Sequence, residues 1–137
     1  MFSLSSLSPK KLEMLKSSQS IPRMYIMLSS YEIDTQENAV FYLIEVGVEK
    51  GSDIEIHRVR RRYSAIKEFD DQIRVEYSDS RFLMPFPPKK FFGNMEKEFI
   101  TKRYNELSVY LSNLVKIPRL TKAFEFLKFF EISTAEL

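Results

Sequence analysis

Four arginines occur within five positions near the middle of the chain, in the segment RVRRRYS that runs from Arg58 to Ser64. A guanidinium group makes paired, charge-assisted hydrogen bonds to phosphate, and an aromatic ring such as Tyr63 offers a face for stacking. The segment ends a strand-like run and begins a predicted helix, and the amide groups at a helix start also favour phosphate. This combination suits the recognition of a phosphorylated ring or chain.

The position of each arginine in the strand separates one candidate ligand from the others. In an extended strand Arg58, Arg60 and Arg62 share one face, and Arg61 points to the other. Arginines on a strand are also typical of a solvated face or of an edge protected from pairing, and that alternative stays open for all but Arg62. Arg62 directly precedes both Tyr63 and the predicted helix start. We therefore predict that Arg62 is the phosphate ligand, with Tyr63 either stacked on a ring or part of the core.

A second basic group follows the proline-rich segment PFPP, which starts at Pro85. Prolines exclude helical geometry and hold the backbone extended, so a lysine placed after them loses little entropy on binding. Lys89 and Lys90 occupy these positions, although a solvated lysine is the ordinary alternative. Arg103 lies beside the apolar stripe of a predicted long helix, where it either extends from the core edge to water or reaches a ligand held over the strands.

The loop after the lysines carries Phe91, Phe92 and Met95. Exposed aromatic residues beside basic ones are typical of insertion at a bilayer interface. A loop buried against the protein is the competing interpretation. No stretch of the sequence reaches the roughly 18 apolar residues that a membrane span needs, so we expect any membrane contact to be peripheral.

The composition limits the chemistry that the chain can perform. The 137 residues suffice for one domain, and a hydrophobic content of 44% favours a folded chain. There is no cysteine and His57 is the only histidine, so disulfides, thiolate chemistry and two-histidine metal sites are excluded. We predict no catalytic residue, no metal and no cofactor. The net charge of +2 is small for a nucleic-acid binder, so no nucleic-acid partner is expected.

Hydrophobic periodicity predicts an α+β fold, in which a three-stranded antiparallel β-meander packs against a helical subdomain of three to four helices with a proline-rich loop. The predicted strands cover 24–29, 40–48 and 54–62, and the predicted helices cover 64–77, 96–115 and 121–132. Ser64 is the predicted N-cap of the first of these helices. The predicted organisation is a flexible N-terminal tail over 1–22, a domain over 23–132 and a C-terminal tail over 133–137.

Three motifs together resemble the phox-homology (PX) domain: RRYS before the first helix, FPPKKFFG in the loop and KRYNEL in the long helix. The resemblance covers roughly Arg23 to Ile132, nearly the whole chain. It implies a phosphoinositide-binding module like those of sorting nexins and some oxidase subunits. Many members of the family have an acidic residue where this chain has Ala65, and the loop after the lysines is short here.

The resemblance also implies a role for each candidate residue. Arg62 takes the position of the arginine that binds the 3-phosphate of phosphatidylinositol 3-phosphate, and Tyr63 that of the aromatic residue on which the inositol ring stacks. Lys89 matches the lysine that meets the 1-phosphate, and Arg103 the arginine that bonds the ring 4- and 5-hydroxyls. The resemblance gives Arg61 and Lys90 the role of supporting basic residues. It makes Phe91, Phe92 and Met95 the residues of the membrane-inserting loop.

The expected function is therefore recruitment of a cytoplasmic protein to endosomal membranes through phosphatidylinositol 3-phosphate, as a peripheral membrane protein in trafficking and sorting. The expected partners are a phosphoinositide-containing membrane and proteins of a trafficking complex. The alternative is a PX-like protein-interaction module with weak or no lipid specificity, in which the exposed phenylalanines or the proline segment meet a partner groove.

Overall fold

The strands all precede residue 63, and the larger helices follow them in the chain. The computed structural model describes residues 2–18, 23–90 and 93–133. The strands are β1 (Phe2–Ser3), β2 (Met24–Asp34), β3 (Ala39–Lys50) and β4 (Asp53–Arg62). The helices are α1 (Pro9–Ser17), α2 (Tyr63–Tyr77), α3 (Lys97–Asn113) and α4 (Phe124–Phe129), with 3-10 turns at Leu4–Ser6, Leu114–Lys116 and Leu120–Lys122. The predicted α+β class is confirmed.

The sheet is antiparallel throughout and has the order β1-β4-β3-β2. Strands β2, β3 and β4 form the predicted meander, and Gly51 in the β3–β4 turn has a φ of 61°, which glycine adopts without strain. Alternate residues of these strands bury against the helices, among them Ile26, Tyr42, Ile44, Val46 and Val59. Strand β1 adds a fourth strand to the three that were predicted. Its two residues are too few to show the period-two hydrophobic pattern by which a strand is predicted.

The N-terminal segment covers the other face of the sheet. Leu15 of α1 is 2% exposed and packs with Tyr25 and Ile54. The sequence predicted a flexible tail over 1–22, and residues 2–18 differ from that prediction because their leucines bury against this apolar face. The outer limits of the domain stay a prediction.

Strand β4 runs into helix α2 without a connecting loop. Arg62 is both the last residue of β4 and the N-cap of α2, and Tyr63 is the first helical residue. The prediction of Ser64 as the N-cap was wrong, because pairing of Arg62 with Phe41 keeps the backbone extended up to Arg62. Ser64 instead lies in the first helical turn. A guanidinium group has no acceptor atom, so the Arg62 side chain caps none of the first-turn amides of α2.

The last helix is shorter than predicted. The chain forms a 3-10 turn over Leu120–Lys122, and only Phe124–Phe129 is α-helical. Phe129 and Phe130 pack on Phe69 of α2, and the rings of Phe69 and Phe129 are stacked at 4.5 Å between centroids. The burial of these rings stabilises the packing of α4 on α2, although α4 itself is short.

Candidate functional site

A pocket of about 270 Å³ lies where β3, β4, α2, α3 and the proline-rich loop meet. All four residues predicted to contact a headgroup line it, namely Arg62, Tyr63, Lys89 and Arg103. Its other lining residues are Asn38, Ala39, Val40, Tyr42, Ser64, Asn94 and Met95. The fold therefore brings three cations from three separate elements to one cavity.

Arg62 has the most available guanidinium of the arginine cluster. Its side chain is exposed, lies 5.7 Å from the Phe41 ring, and makes no ion pair with any other described residue. The other three arginines each pair with an acid: Arg58 with Glu45 at 3.4 Å, Arg60 with Glu32 at 3.1 Å and Arg61 with Glu131 at 2.8 Å. An anion that binds Arg62 thus displaces no carboxylate among the described residues.

Arg61 does not line the pocket. Its guanidinium donates to the Phe129 carbonyl at 2.7 Å and to the Glu131 carboxylate at 2.8 Å. Side chains alternate along β4, so Arg61 points away from the face that carries Arg62. Through these contacts Arg61 joins β4 to the end of α4, and its supporting role at the headgroup stays a prediction.

Arg103 is a buried cation at the pocket, with only 7% of the residue exposed. Its guanidinium carbon lies 3.7 Å from the centroid of the Tyr63 ring, and its Nη2 donates to the Pro88 carbonyl at 3.3 Å. Burial lowers the pKa of Arg103, and the neighbouring Tyr42 hydroxyl partly opposes this shift. Among the described residues Arg103 has no carboxylate in ion-pair range, and its Nε has no hydrogen-bond acceptor. A buried, unpaired charge is costly, so this side chain favours an oxygen-rich ligand.

Tyr63 connects the pocket to the proline-rich loop. Its hydroxyl donates to the Pro87 carbonyl at 2.7 Å, and burial raises the pKa of Tyr63, so the hydroxyl stays a donor at neutral pH. The Arg103 guanidinium stacks on one face of the Tyr63 ring. The ring that the resemblance assigns to inositol stacking therefore also supports Arg103.

Lys89 and Lys90 point to different places at the end of the loop. Lys89 is exposed and lines the pocket. Lys90 lies outside it, with its ammonium group 4.5 Å from the centroid of the Phe99 ring. Successive side chains of an extended segment diverge, so Lys89 is the lysine placed to contact a ligand in the pocket, and Lys90 contributes charge nearby.

The predicted membrane-inserting loop is described only in part. Phe91 and Phe92 lie outside the described residues. Met95 is half-buried and lines the pocket, so its thioether is next to the headgroup site.

Sequence reasoning missed the neutral part of the pocket. Tyr42 belongs to the alternating pattern of β3 and is buried, but it also forms a wall of the pocket. Asn38 has a φ of 51°, a conformation that asparagine tolerates in turns. Asn94 donates to the Lys90 carbonyl at 2.9 Å and so fixes the loop. Turn composition predicts the conformation of Asn38 but gives no information about its distance from Lys89.

A buried polar network holds the scaffold behind the pocket. Asp70 of α2 is 1% exposed and accepts a hydrogen bond from the Tyr110 hydroxyl of α3 at 2.8 Å. Its carboxylate also accepts from Arg74, whose Nη2 donates to the Met84 carbonyl at 2.8 Å. The network therefore ties α2, α3 and the start of the proline-rich loop together.

The family model described as "PX domain" matches residues 49–133. The chain belongs to the PX-domain family. The resemblance seen in the motifs is thereby confirmed, and PX domains are lipid-binding modules rather than enzymes. Across the parts of the chain that the structure describes, no cluster of three or more histidines and acids is arranged to hold a metal ion, and no helix has the length and apolarity to cross a bilayer.

Known proteins similar to this PX domain include sorting nexins. Sorting nexin-13 from Mus musculus and from Homo sapiens are each 30% identical over 90 residues, which is 66% of this chain and 9% of the relative. Kinesin-like protein KIF16B from Homo sapiens is 36% identical over 59 residues, which is 43% of this chain and 4% of the relative. The chain thus spans less than a tenth of the length of these relatives. The PX-domain family and the sorting nexins support phosphoinositide binding and a trafficking role in general terms.

Solved structures show the same fold. A designed CISK-PX domain is similar with a TM-score of 0.63 and 22% identity, over 77% of this chain and 97% of the other. The mouse SNX19 PX domain with a bound sulphate ion is similar with a TM-score of 0.59 and 17% identity, over 79% of this chain and 95% of the other. Each of these two comparisons therefore leaves about a fifth of this chain without a counterpart.

Proposed function

We propose that the pocket binds the headgroup of phosphatidylinositol 3-phosphate and thereby recruits the protein from the cytoplasm to endosomal membranes, as a peripheral protein in trafficking and sorting. The observation that carries this proposal is the pair formed by Arg103 and Arg62. Arg103 is buried and Arg62 is exposed, both line one pocket, and neither has an acidic partner among the described residues. A site of this kind favours an anion with several oxygen acceptors.

Each cation has a separate task in this proposal. Arg62 binds the 3-phosphate, with help from the positive end of α2 that begins at Tyr63. Lys89 meets the 1-phosphate, which links the ring to the lipid. Arg103 presents its guanidinium to the ring 4- and 5-hydroxyls, and the Tyr63 ring packs beside the inositol.

The energies of these contacts suffice for reversible membrane binding. A charge-assisted hydrogen bond contributes about 1.5–3 kcal/mol net, and a basic residue near an anionic leaflet adds about 1 kcal/mol. Burial of one phenylalanine in the bilayer interface, at Phe91 or Phe92, adds up to about 3 kcal/mol. Micromolar affinity corresponds to about 8 kcal/mol, so two or three phosphate contacts and modest insertion reach it without a covalent anchor.

The competing protein-interaction function is less consistent with the proline-rich loop. Pro87 is buried, and the carbonyls of Met84, Pro87 and Pro88 accept hydrogen bonds from side chains of this chain. A partner groove that recognises an extended proline segment needs such groups free. We propose that protein partners of a trafficking complex bind outside this loop.

The proposal is tested by sedimentation of the wild-type chain with phosphatidylcholine vesicles that each contain one phosphoinositide, at fixed salt. The expected result is retention by vesicles with phosphatidylinositol 3-phosphate and weaker retention by vesicles with the 4- or 5-phosphate lipid. Equal retention by every anionic vesicle, including phosphatidylserine at matched charge, would show charge attraction without a headgroup site and would favour the protein-interaction alternative.

A further inference from the structure

The proline-rich loop is held in place through its carbonyl groups. Three of the four residues in the segment PFPP are prolines, and proline has no amide hydrogen to donate. Two carbonyls of the segment accept hydrogen bonds from side chains that line the pocket. The Tyr63 hydroxyl donates to the Pro87 carbonyl at 2.7 Å, and Arg103 Nη2 donates to the Pro88 carbonyl at 3.3 Å. The loop is thus tied to the pocket immediately before Lys89.

The bond from Tyr63 is the better of these two anchors. Its length of 2.7 Å is the usual one for a hydrogen bond between oxygens, whereas 3.3 Å is long for a nitrogen donor. Pro87 is buried and Tyr63 is half-buried, so little water competes for this carbonyl. If the hydroxyl were removed, the Pro87 carbonyl would lose this donor, and a buried acceptor without a donor favours displacement of the loop.

Lys89 borders two spaces, so the course of the loop decides which of them its ammonium group occupies. It lines the pocket together with Arg62 and Arg103, and it also lines an adjoining depression of about 400 Å³ together with Glu96 and Glu98. Like charges in the pocket repel the ammonium group before a ligand binds, and the carboxylates of the depression attract it. A fixed backbone at the end of the loop is therefore needed to keep Lys89 at the pocket.

We propose that the Tyr63 hydroxyl is a positioning group, which fixes the proline-rich loop so that Lys89 meets the 1-phosphate of the headgroup. The ring and the hydroxyl of Tyr63 then have separate tasks. The ring packs beside the inositol, and the hydroxyl holds the backbone two residues before Lys89. This inference rests on the proposed function and adds the group that determines recognition of the 1-phosphate.

The test compares Tyr63→Phe, which keeps the ring and removes the hydroxyl, with wild type. Two soluble ligands are titrated and followed by nuclear magnetic resonance: dibutanoyl phosphatidylinositol 3-phosphate, which carries the 1-phosphate, and inositol 3-phosphate, which lacks it. We expect Tyr63→Phe to weaken binding of the first ligand roughly five- to tenfold, as for the loss of one hydrogen bond. Affinity for the second ligand should stay within about twofold of wild type, because that ligand has no group for Lys89 to contact.

Tyr104→Phe is the matched control. Tyr104 follows Arg103 on α3, and its hydroxyl donates to the Leu28 carbonyl at 3.2 Å, but it is not among the described residues that line the pocket. We expect this variant to bind both ligands as wild type does. A second comparison uses Lys89→Ala, which removes the proposed contact itself. In that background Tyr63→Phe should weaken binding of the dibutanoyl lipid no further, because both substitutions act on one interaction.

The outcomes separate this inference from the proposed function. If Tyr63→Phe weakens binding of both ligands equally, or weakens it as much in the Lys89→Ala background as in wild type, the hydroxyl does not act through Lys89. The inference is then refuted while lipid binding stands. If wild type binds neither ligand, the proposed function itself fails. Tighter binding of wild type to vesicles that carry phosphatidylinositol 3-phosphate than to the dibutanoyl lipid supports a membrane lipid as the ligand, and equal binding contradicts it.

Discussion

Replacement of Arg62 with alanine is expected to abolish binding to vesicles that contain phosphatidylinositol 3-phosphate. Arg62 is the cation at the strand-to-helix junction, and it has no acidic partner among the described residues. Loss of two charge-assisted hydrogen bonds at about 1.5–3 kcal/mol each weakens binding by more than roughly 100-fold. The measurement is the fraction of protein that sediments with vesicles as a function of lipid concentration.

Arg60→Ala is the matched control for this substitution. Arg60 is also exposed on β4 and pairs with Glu32 at 3.1 Å, so its loss lowers the net charge equally without altering the pocket. We expect Arg60→Ala to retain most of the binding and both variants to keep the wild-type melting temperature. A comparable loss of binding in both variants would mean that general positive charge, and not the position of Arg62, recruits the chain.

Replacement of Asp70 with alanine is expected to have the largest effect on stability. Asp70 is buried, and its removal leaves the Tyr110 hydroxyl and the Arg74 guanidinium without their shared acceptor. Breaking a buried ion pair costs about 3–5 kcal/mol, and partial exposure of Arg74 favours the lower end of that range. Since a domain of this kind is stable by only about 5–15 kcal/mol, the midpoint of urea unfolding should fall markedly.

Asp71→Ala provides the comparison at the adjacent position. Asp71 is exposed and forms an i,i+4 pair with Lys67 on the helix surface, where solvent screens the interaction. We expect little change in the free energy of unfolding for this variant. If Asp70→Ala unfolds at the same urea concentration as Asp71→Ala, the buried network does not hold the scaffold as described.

The β-meander could be predicted from the sequence because both of its signals are local: the alternation of apolar and polar residues in each strand, and the turn at Gly51. The same alternation also separates Arg61 from Arg62 correctly, although the family resemblance suggested that both support the site. The start of helix α2 could not be predicted from local sequence signals alone. Ser64 is the better capping residue by propensity, but pairing between Arg62 and Phe41, which are distant in sequence, fixes the start of α2 one residue after Arg62.

Two further features could not be predicted from the sequence because they depend on contacts between distant segments. They are the burial of Arg103 and the packing of the N-terminal segment. Helical periodicity places Arg103 beside the apolar stripe, but only the fold shows that the Tyr63 ring and the Pro88 carbonyl enclose its guanidinium. Leu15 belongs to a short helix that is marginal by itself. It becomes stable only through the outer sheet face at Tyr25 and Ile54, a surface formed by long-range pairing.

The headgroup site is tested most directly by nuclear magnetic resonance of the isotope-labelled chain during titration with dibutanoyl phosphatidylinositol 3-phosphate. We predict that the N–H signals of the Arg103 guanidinium shift as this group donates hydrogen bonds to ligand oxygens, together with the backbone amide signals of Asn38 and Ser64. Residues at the opposite face, such as Arg61 and Gln72, should keep their signals. Shifts concentrated at Arg61 and Gln72, with the Arg103 signal unchanged, would contradict the central claim that this pocket binds the headgroup.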